Sequence, residues 1–293
     1  MELQGHRGAR GLFPENTVAG FVATCRLGVD SVELDVAVTA DGVAVVSHDP
    51  TLDPDLTRGA DGAWIDGAPP VIRTLTLAAL RRFDVGRLRP GSRTALLFPA
   101  QIAVDGARVP TMQEVFQATG ETLIDAELKT LPDRPTLTVT PEAMADALLA
   151  AAESADAMGR LRVRSFDWRG LAYLRRIRPE VPLVWLTRPG DSTAPGPWWC
   201  LPGHRGPAYE AVATVAAGAP WRAGWAPHIN GLTIDDIRQA RGLGLAVMPW
   251  TANSEEDLGR LIDWGVDGLC TDRPDIARRV MARRGLPLPA GNV

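Results

Sequence analysis

Short β-rich runs alternate with longer helical stretches from one end of this sequence to the other, and that alternation limits the fold more than any other feature. Strand patterns fall at residues 31–38, 122–128, 161–165, 182–187, 245–250 and 268–271. Helical patterns fall between them at residues 17–27, 141–154, 168–176, 234–242 and 255–264. Strands that each lead into a helix pair in parallel and are covered by those helices. At 293 residues a closed (β/α)8 TIM barrel of the α/β class is favoured over an open doubly wound sheet. The first strand is the short segment just before His6. The expectation is one barrel domain over residues 1–293, with residues 50–108, rich in Pro, Gly, Asp and Arg, as a small insertion after the second strand, shaped as a helical lid. A second irregular stretch, residues 188–225, carries Trp198, Trp199, Trp221 and Trp225 among Pro and Gly. A packed surface cluster is favoured there over an ordered loop beside a site mouth.

Composition narrows the partners. A net charge of -4 is too small to attract nucleic acid or an anionic membrane through the whole-molecule field. Every apolar run is shorter than the roughly 18 residues that span a bilayer, so no stable membrane insertion is expected. The start of the chain, Met1 to Arg7, has no basic segment leading into an apolar one, the mark of a secretory signal. Cys25, Cys200 and Cys270 are odd in number, far apart and without metal or redox spacing, which fits small buried hydrophobes in a reducing cytoplasm. Oligomeric state has no signature in the sequence.

Chemistry concentrates on two strands. Glu33 and Asp35 stand at i and i+2 within the apolar run Val32, Leu34, Val36. Alternation puts both carboxylates on one face and the aliphatic side chains on the other. Inside a barrel two adjacent carboxylates need a counter-charge, and oxygen ligands point to Ca²⁺ or Mg²⁺. The bland alternative is a strand face that is simply wet. Asp125, Glu127 and Lys129 repeat the spacing opposite Ile124, Ala126 and Leu128, with Glu127 placed as a third metal carboxylate. Lys129 is the single lysine among 31 Lys+Arg residues. A chain that otherwise uses arginine for every positive charge keeps a compact ammonium here, as contact with a phosphoryl oxygen would require. The alternative is chance survival of one lysine. His6 and His48 are half of the four histidines. Both follow strand patterns and flank the carboxylates, as an acid–base pair would.

These residues together resemble a known family. His6-Arg7, Glu33-x-Asp35 and His48-Asp49 are similar to the H-R, E-x-D and H-D elements of the glycerophosphodiester phosphodiesterases. The blocks Gly5 to Gly11 with Pro14-Glu15-Asn16-Thr17, Glu127-Leu128-Lys129, Ser165-Phe166, Trp250-Thr251-Ala252-Asn253, and Asp267-Gly268 with Thr271-Asp272-x-Pro274 match the rest of that signature in order. The resemblance implies a barrel with an insertion after the second strand and a divalent cation on Glu33, Asp35 and Glu127. It also implies His6 and His48 as catalysts, Arg7 and Lys129 on phosphate, and Trp250 as an aromatic wall for glycerol. The expected partner is a small phosphodiester, hydrolysed to glycerol 3-phosphate and an alcohol. The alternatives are a larger phosphodiester, such as a lysophospholipid or cell-wall polymer, and a silent barrel that only binds phosphate esters. Which histidine is the base stays open.

Overall fold

In the computed structural model, which describes residues 1–190, 199, 201 and 203–291, the strands are β1 (Glu2–Gly5), β2 (Ser31–Val38), β3 (Ala44–Val46), β4 (Leu123–Leu128), β5 (Leu161–Ser165), β6 (Leu183–Thr187), β7 (Gly224–Pro227), β8 (Ala246–Val247) and β9 (Gly268–Thr271). All but β3 run parallel, in the order β8-β7-β6-β5-β4-β2-β1-β9. Across the remaining gap Asp267 N donates to Val247 O (2.9 Å) and Cys270 N to Pro249 O (3.2 Å), which brings the barrel close to closure. The helices described are α1 (Val18–Leu27), α2 (Leu77–Leu80), α3 (Arg93–Leu97), α4 (Met112–Ala118), α5 (Pro141–Ser154), α6 (Trp168–Ile177), α7 (Ala208–Ala216), α8 (Ile234–Gly242), α9 (Glu255–Asp263) and α10 (Pro274–Arg283). Among the described residues, no helix is long and apolar enough to cross a membrane.

Helix starts follow from local chemistry. Thr17, Thr140 and Ser254 cap α1, α5 and α9 through their hydroxyls, and α5 adds Pro141 at its first turn. Thr111 with Glu114, and Thr233 with Asp236, form reciprocal capping boxes on α4 and α8. Outward strand residues such as Val32, Leu34, Val36, Ile124, Ala126 and Val163 join the helices in the main core.

The barrel interior divides in two. On the β6–β8 side it is apolar, with Val184, Leu186, Ala226 and Met248 packed beneath Phe166 and Trp250. On the β1–β5 side it is ionic. Asp125, fully buried, accepts from Gln4 Nε2 (2.7 Å) and from the guanidiniums of Arg162 and Arg164, and Arg162 also pairs with Glu2. Burial pushes the Asp125 carboxyl up, but the two arginines outweigh it and hold it below its usual range.

Several elements depart from the sequence expectation. Strand β7 starts within the last two residues of the Trp-rich stretch read as irregular and runs past it. Its sequence, Gly-Trp-Ala-Pro, carries little strand propensity, and Gly224 is there because a side chain would meet Val184 Cγ2 at 2.7 Å. Of the tryptophans in that stretch, Trp199 stacks on Trp168 (4.3 Å between centroids), Trp221 lies near Trp185 and Trp225 meets Tyr209 edge-on, so they serve packing. Trp198 and Cys200 lie outside the described residues, and Cys25 and Cys270 are buried free thiols. The run before His48 is not a barrel strand: β3 folds back antiparallel on β2, pairing Val36 with Val46. Beyond it, residues 50–108 hold α2, α3, isolated bridges and the apolar residues Leu52, Ile72 and Leu80, which cluster with Val109 on Val45 and Ala37.

Replacing Asp125 with Ala leaves two buried guanidiniums without their shared carboxylate. The expected loss is about 3–5 kcal/mol, the scale of breaking a buried ion pair from one side. Urea unfolding measures it; a loss within experimental error would mean that water or Glu2 satisfies both arginines.

Candidate active site

The site sits where the ionic half of the barrel opens at the C-terminal ends of β1, β2 and β4. Alternation along β2 turns Glu33 and Asp35 inward, and β4 stands in register beside it, with Asp35 opposite Glu127. One carboxylate oxygen from each of Glu33, Asp35 and Glu127 lies within 4.8 Å of the others. The sequence-predicted trio is therefore one cluster. Asp125, one step further down β4, is not part of it: its charge is answered by Arg162 and Arg164.

The β1–α1 loop folds tightly over this cluster. Arg7 (φ 50°), Gly8 (φ 71°), Ala9 (φ 56°) and Asn16 (φ 53°) all take left-handed backbone, and three of them are not glycine. Such a run of disfavoured conformations persists only where surrounding contacts enforce it. Here Arg7 N donates to Glu33 Oε2 (3.0 Å), Asn16 N to Arg7 O (3.0 Å) and Asn16 Nδ2 to Asp35 Oδ2 (2.9 Å). The Arg7 side chain spans Glu15 Oε1 (3.0 Å) and Asp35 Oδ2 (3.3 Å). Lys129 Nζ reaches Glu127 Oε1 (2.8 Å) and Asp35 Oδ1 (3.6 Å).

The charges sort themselves by neighbour. Burial, then Asp35, pushes the Glu33 carboxyl well up. Asp35 is equally buried, yet Arg7, Lys129 and His48 hold it well below the carboxylate range. Burial would lower the Lys129 ammonium, but Glu127 and Asp35 keep it above its ordinary value and so charged at neutral pH.

His6 is 8% exposed. Its Nδ1 lies 2.6 Å from Asp272 Oδ1 and its Nε2 lies 3.8 Å from Glu33 Oε2. Asp272 also accepts from Arg10 Nε (2.7 Å) and Asn253 Nδ2 (2.7 Å), and although burial raises its carboxyl, His6 and Arg10 hold it low and ionised. An ionised carboxylate only accepts, so Nδ1 carries the proton and Nε2 presents a lone pair. Burial outweighs Asp272 and lowers His6 to about 4. His48 stands on the more open side. Ser47 N donates to Asp35 O (2.9 Å), which brings the chain back to the carboxylates, and His48 Nδ1 lies 2.9 Å from Asp49 Oδ1.

Trp250 forms the opposite wall. It meets Phe166 edge-on (5.4 Å) and His228 edge-on (4.7 Å), and its indole N–H donates to Ala226 O (3.0 Å). Asp272, Arg10, Asn253 and Asn16 received no role from the sequence. The signal for Asp272 was present: it continues the inward face of β9, two residues past Cys270.

The cluster can hold a divalent cation. Asp35 Oδ1 is buried without a hydrogen-bond partner, with only the Lys129 ammonium 3.6 Å away, which leaves it a lone pair for a cation. The three donors are carboxylate oxygens, which suit a hard cation. A second grouping, His6, Glu33 and Cys270, shares Glu33. That grouping mixes nitrogen, sulfur and oxygen donors, whereas the carboxylate set offers only hard oxygen ligands and fits such a cation better.

A model described as the glycerophosphoryl diester phosphodiesterase family matches residues 6–276. A glycerophosphodiester phosphodiesterase of Bacillus subtilis (strain 168) is 28% identical over 282 residues, covering 94% of this chain and 84% of that protein. A crystal structure from Silicibacter pomeroyi DSS-3, provisionally named a glycerophosphoryl diester phosphodiesterase, superposes with a TM-score of 0.86 at 33% identity, covering 98% of this chain and 94% of the other. An Oleispira antarctica phosphodiesterase solved with sn-glycerol-3-phosphate shares the fold, with a TM-score of 0.71 at 21% identity over 96% of this chain and 97% of the other.

Burial and the neighbouring Asp35 make the Glu33 carboxylate costly in the metal-free protein. Glu33→Gln should therefore raise the melting temperature in EDTA by a few degrees, the scale of roughly 1 kcal/mol in a chain of this size. It should also remove most of the further rise that divalent cations give the parent. Thermal melts with and without cation check both, and an unchanged cation response would take Glu33 out of the ligand set.

Proposed function

Since the chain belongs to the glycerophosphoryl diester phosphodiesterase family, we propose that it hydrolyses glycerophosphodiesters to glycerol 3-phosphate and an alcohol, using one bound Ca²⁺ or Mg²⁺ and two histidines. The observation that carries this reading is the buried cluster of Glu33, Asp35 and Glu127, in which Asp35 Oδ1 has no hydrogen-bond partner, between His6 and His48. We read residues 1–293 as one catalytic domain and residues 50–108 as an insertion within it. The two buried free thiols suit a reducing cytoplasm.

A phosphodiester resists attack because it is anionic. When bound on Glu33, Asp35 and Glu127, the cation supplies the charge that offsets this and polarises the phosphoryl group. Lys129 and Arg7 add fixed positive charge aimed at the same oxygens, both held at the mouth by carboxylates of the cluster. His6 is neutral near pH 7, with Nδ1–H committed to Asp272, so Nε2 takes the proton from the attacking hydroxyl. That hydroxyl belongs to water or to the glycerol itself, which would give a transient cyclic phosphate. His48, on the open side, gives the departing alkoxide its proton. Trp250 and Phe166 offer an apolar surface to the glycerol carbons.

A coupled assay for glycerol 3-phosphate tests the reading. Chelation should abolish release, and Ca²⁺ or Mg²⁺ should restore it; full activity after exhaustive chelation would remove the cation from the mechanism. His6→Ala and His48→Ala should each cost about 10²-fold or more in turnover. The double variant should lose far less than the product of the two, because the residues act as a unit. Lys129→Arg keeps the charge but is longer, planar and forked. Wedged 2.8 Å from Glu127, it would crowd the cluster, with an expected loss on the order of 10²-fold. Kinetics like the parent's would make the lone lysine an accident of composition.

A further inference from the structure

The three most exposed large apolar side chains of the described residues fall in one short segment. Leu96 (75% exposed), Ile102 (65%) and Leu97 (61%) head the exposed apolar residues, and Val104 belongs to the same stretch. All lie on α3 and the extended segment after it. The main core leaves them out, and so does the small cluster built on Leu52, Ile72, Leu80 and Val109. Soluble proteins expose single leucines freely, but several large aliphatic side chains in one short segment mark a contact surface.

The segment that carries this patch differs in charge from the rest of the chain. Residues 81–108 contain six arginines and two aspartates, a net charge of +4, in a protein whose total is -4. Of these, Asp84 pairs with Arg58, and Asp105 with Arg58 and Arg87. Among the described residues, Arg82, Arg93 and Arg108 have no carboxylate partner within ion-pair distance, and Arg93 opens α3 itself.

The patch is fastened to the catalytic mouth. Ile102 N donates to Leu12 O (2.8 Å) and Gln101 Nε2 to Arg10 O (2.7 Å). The Arg10 guanidinium lies 4.9 Å from the centre of the Phe98 ring and donates to Asp272, the carboxylate that holds His6. An apolar tip that carries Arg93, within a segment of net positive charge, complements one kind of partner: aliphatic side chains enter the acyl boundary while guanidiniums meet anionic headgroups.

We propose that residues 93–104 are a docking tip for an anionic lipid surface, which holds the barrel mouth against the membrane plane. The tip engages reversibly, since its apolar segment is far too short to span. This surface is independent of the proposed chemistry, and its test reads binding instead of turnover.

The experiment is co-sedimentation of the full chain with vesicles of phosphatidylcholine alone and of equimolar phosphatidylcholine and phosphatidylglycerol. Binding is expected to the anionic vesicles and to be much weaker to the neutral ones. It should fall when salt shortens the Debye length from about 10 Å to about 3 Å. Leu96→Ser with Leu97→Ser should remove it, while hydrolysis of a water-soluble glycerophosphodiester stays at the parent level. Arg93→Glu, a single exposed charge, should weaken it about fivefold or more. Absence of binding to anionic vesicles, or binding indifferent to these variants, overturns the proposal. So does a dimer in solution that the serine variant dissolves, since the patch would then belong to a second copy of the chain. If hydrolysis fails while the parent still sediments with anionic vesicles, the catalytic reading falls and the docking tip stands.

Discussion

Everything at the barrel mouth answers to one constraint: Glu33, Asp35 and Glu127 are three buried acids sharing a space in which three negative charges cannot coexist unaided. The molecule shows how the conflict is shared out. Asp35, with Arg7 at 3.3 Å and Lys129 at 3.6 Å, stays ionised, and Glu33 beside it is driven towards its neutral form. A divalent cation would remove the conflict, because a double charge at the centre favours ionisation of all three. The left-handed turns of the β1–α1 loop follow from the same need. They bring the Arg7 amide and guanidinium and the Asn16 side chain onto carboxylates that would otherwise face one another.

The division of the interior follows from where that charge must be. A barrel filled with aliphatic side chains would give the carboxylates a low-dielectric floor and nothing to offset them. Arg164, fully buried beneath the site, lowers the cost of ionising Glu33, and Asp125 in turn holds Arg164. The β6–β8 side carries no such burden and fills with Val184, Leu186, Ala226 and Met248, ending at the rim in Phe166 and Trp250. A substrate with one charged and one carbon-rich part therefore meets a mouth divided in the same way.

How much of this the sequence disclosed depended on the distance over which each signal acts. The i, i+2 spacing of Glu33 and Asp35, and of Glu127 and Lys129, is local, and alternation along a strand left their facing little freedom. The lone lysine was informative because Lys129 stands against a background of arginine. The same local logic gave Asp125 no role, because its partners Arg162 and Arg164 sit on the next strand, out of reach of any spacing rule. It passed over Asp272, which meets His6 across 266 residues of chain. Strand β7 escaped because close packing at Gly224 calls for the absence of a side chain, which reads as a turn. The antiparallel return of β3 was hidden too: an apolar triplet looks the same whichever way it runs.

Arg10 ties these separate pieces together. Its backbone carbonyl accepts from Gln101 in the insertion, its guanidinium lies against Phe98, and its Nε donates to the carboxylate on which His6 rests. One side chain thus touches both the segment that presents Leu96 and Leu97 to solvent and the residue that sets the tautomer of a histidine. Arg10 is the third side-chain donor to Asp272, beside His6 and Asn253, and a carboxylate 1% exposed depends on such partners to fill its hydrogen-bonding capacity. The insertion thereby supports the mouth mechanically. A segment with few buried apolar residues of its own is pinned to a loop that is itself held to the charge cluster through Arg7 and Asn16.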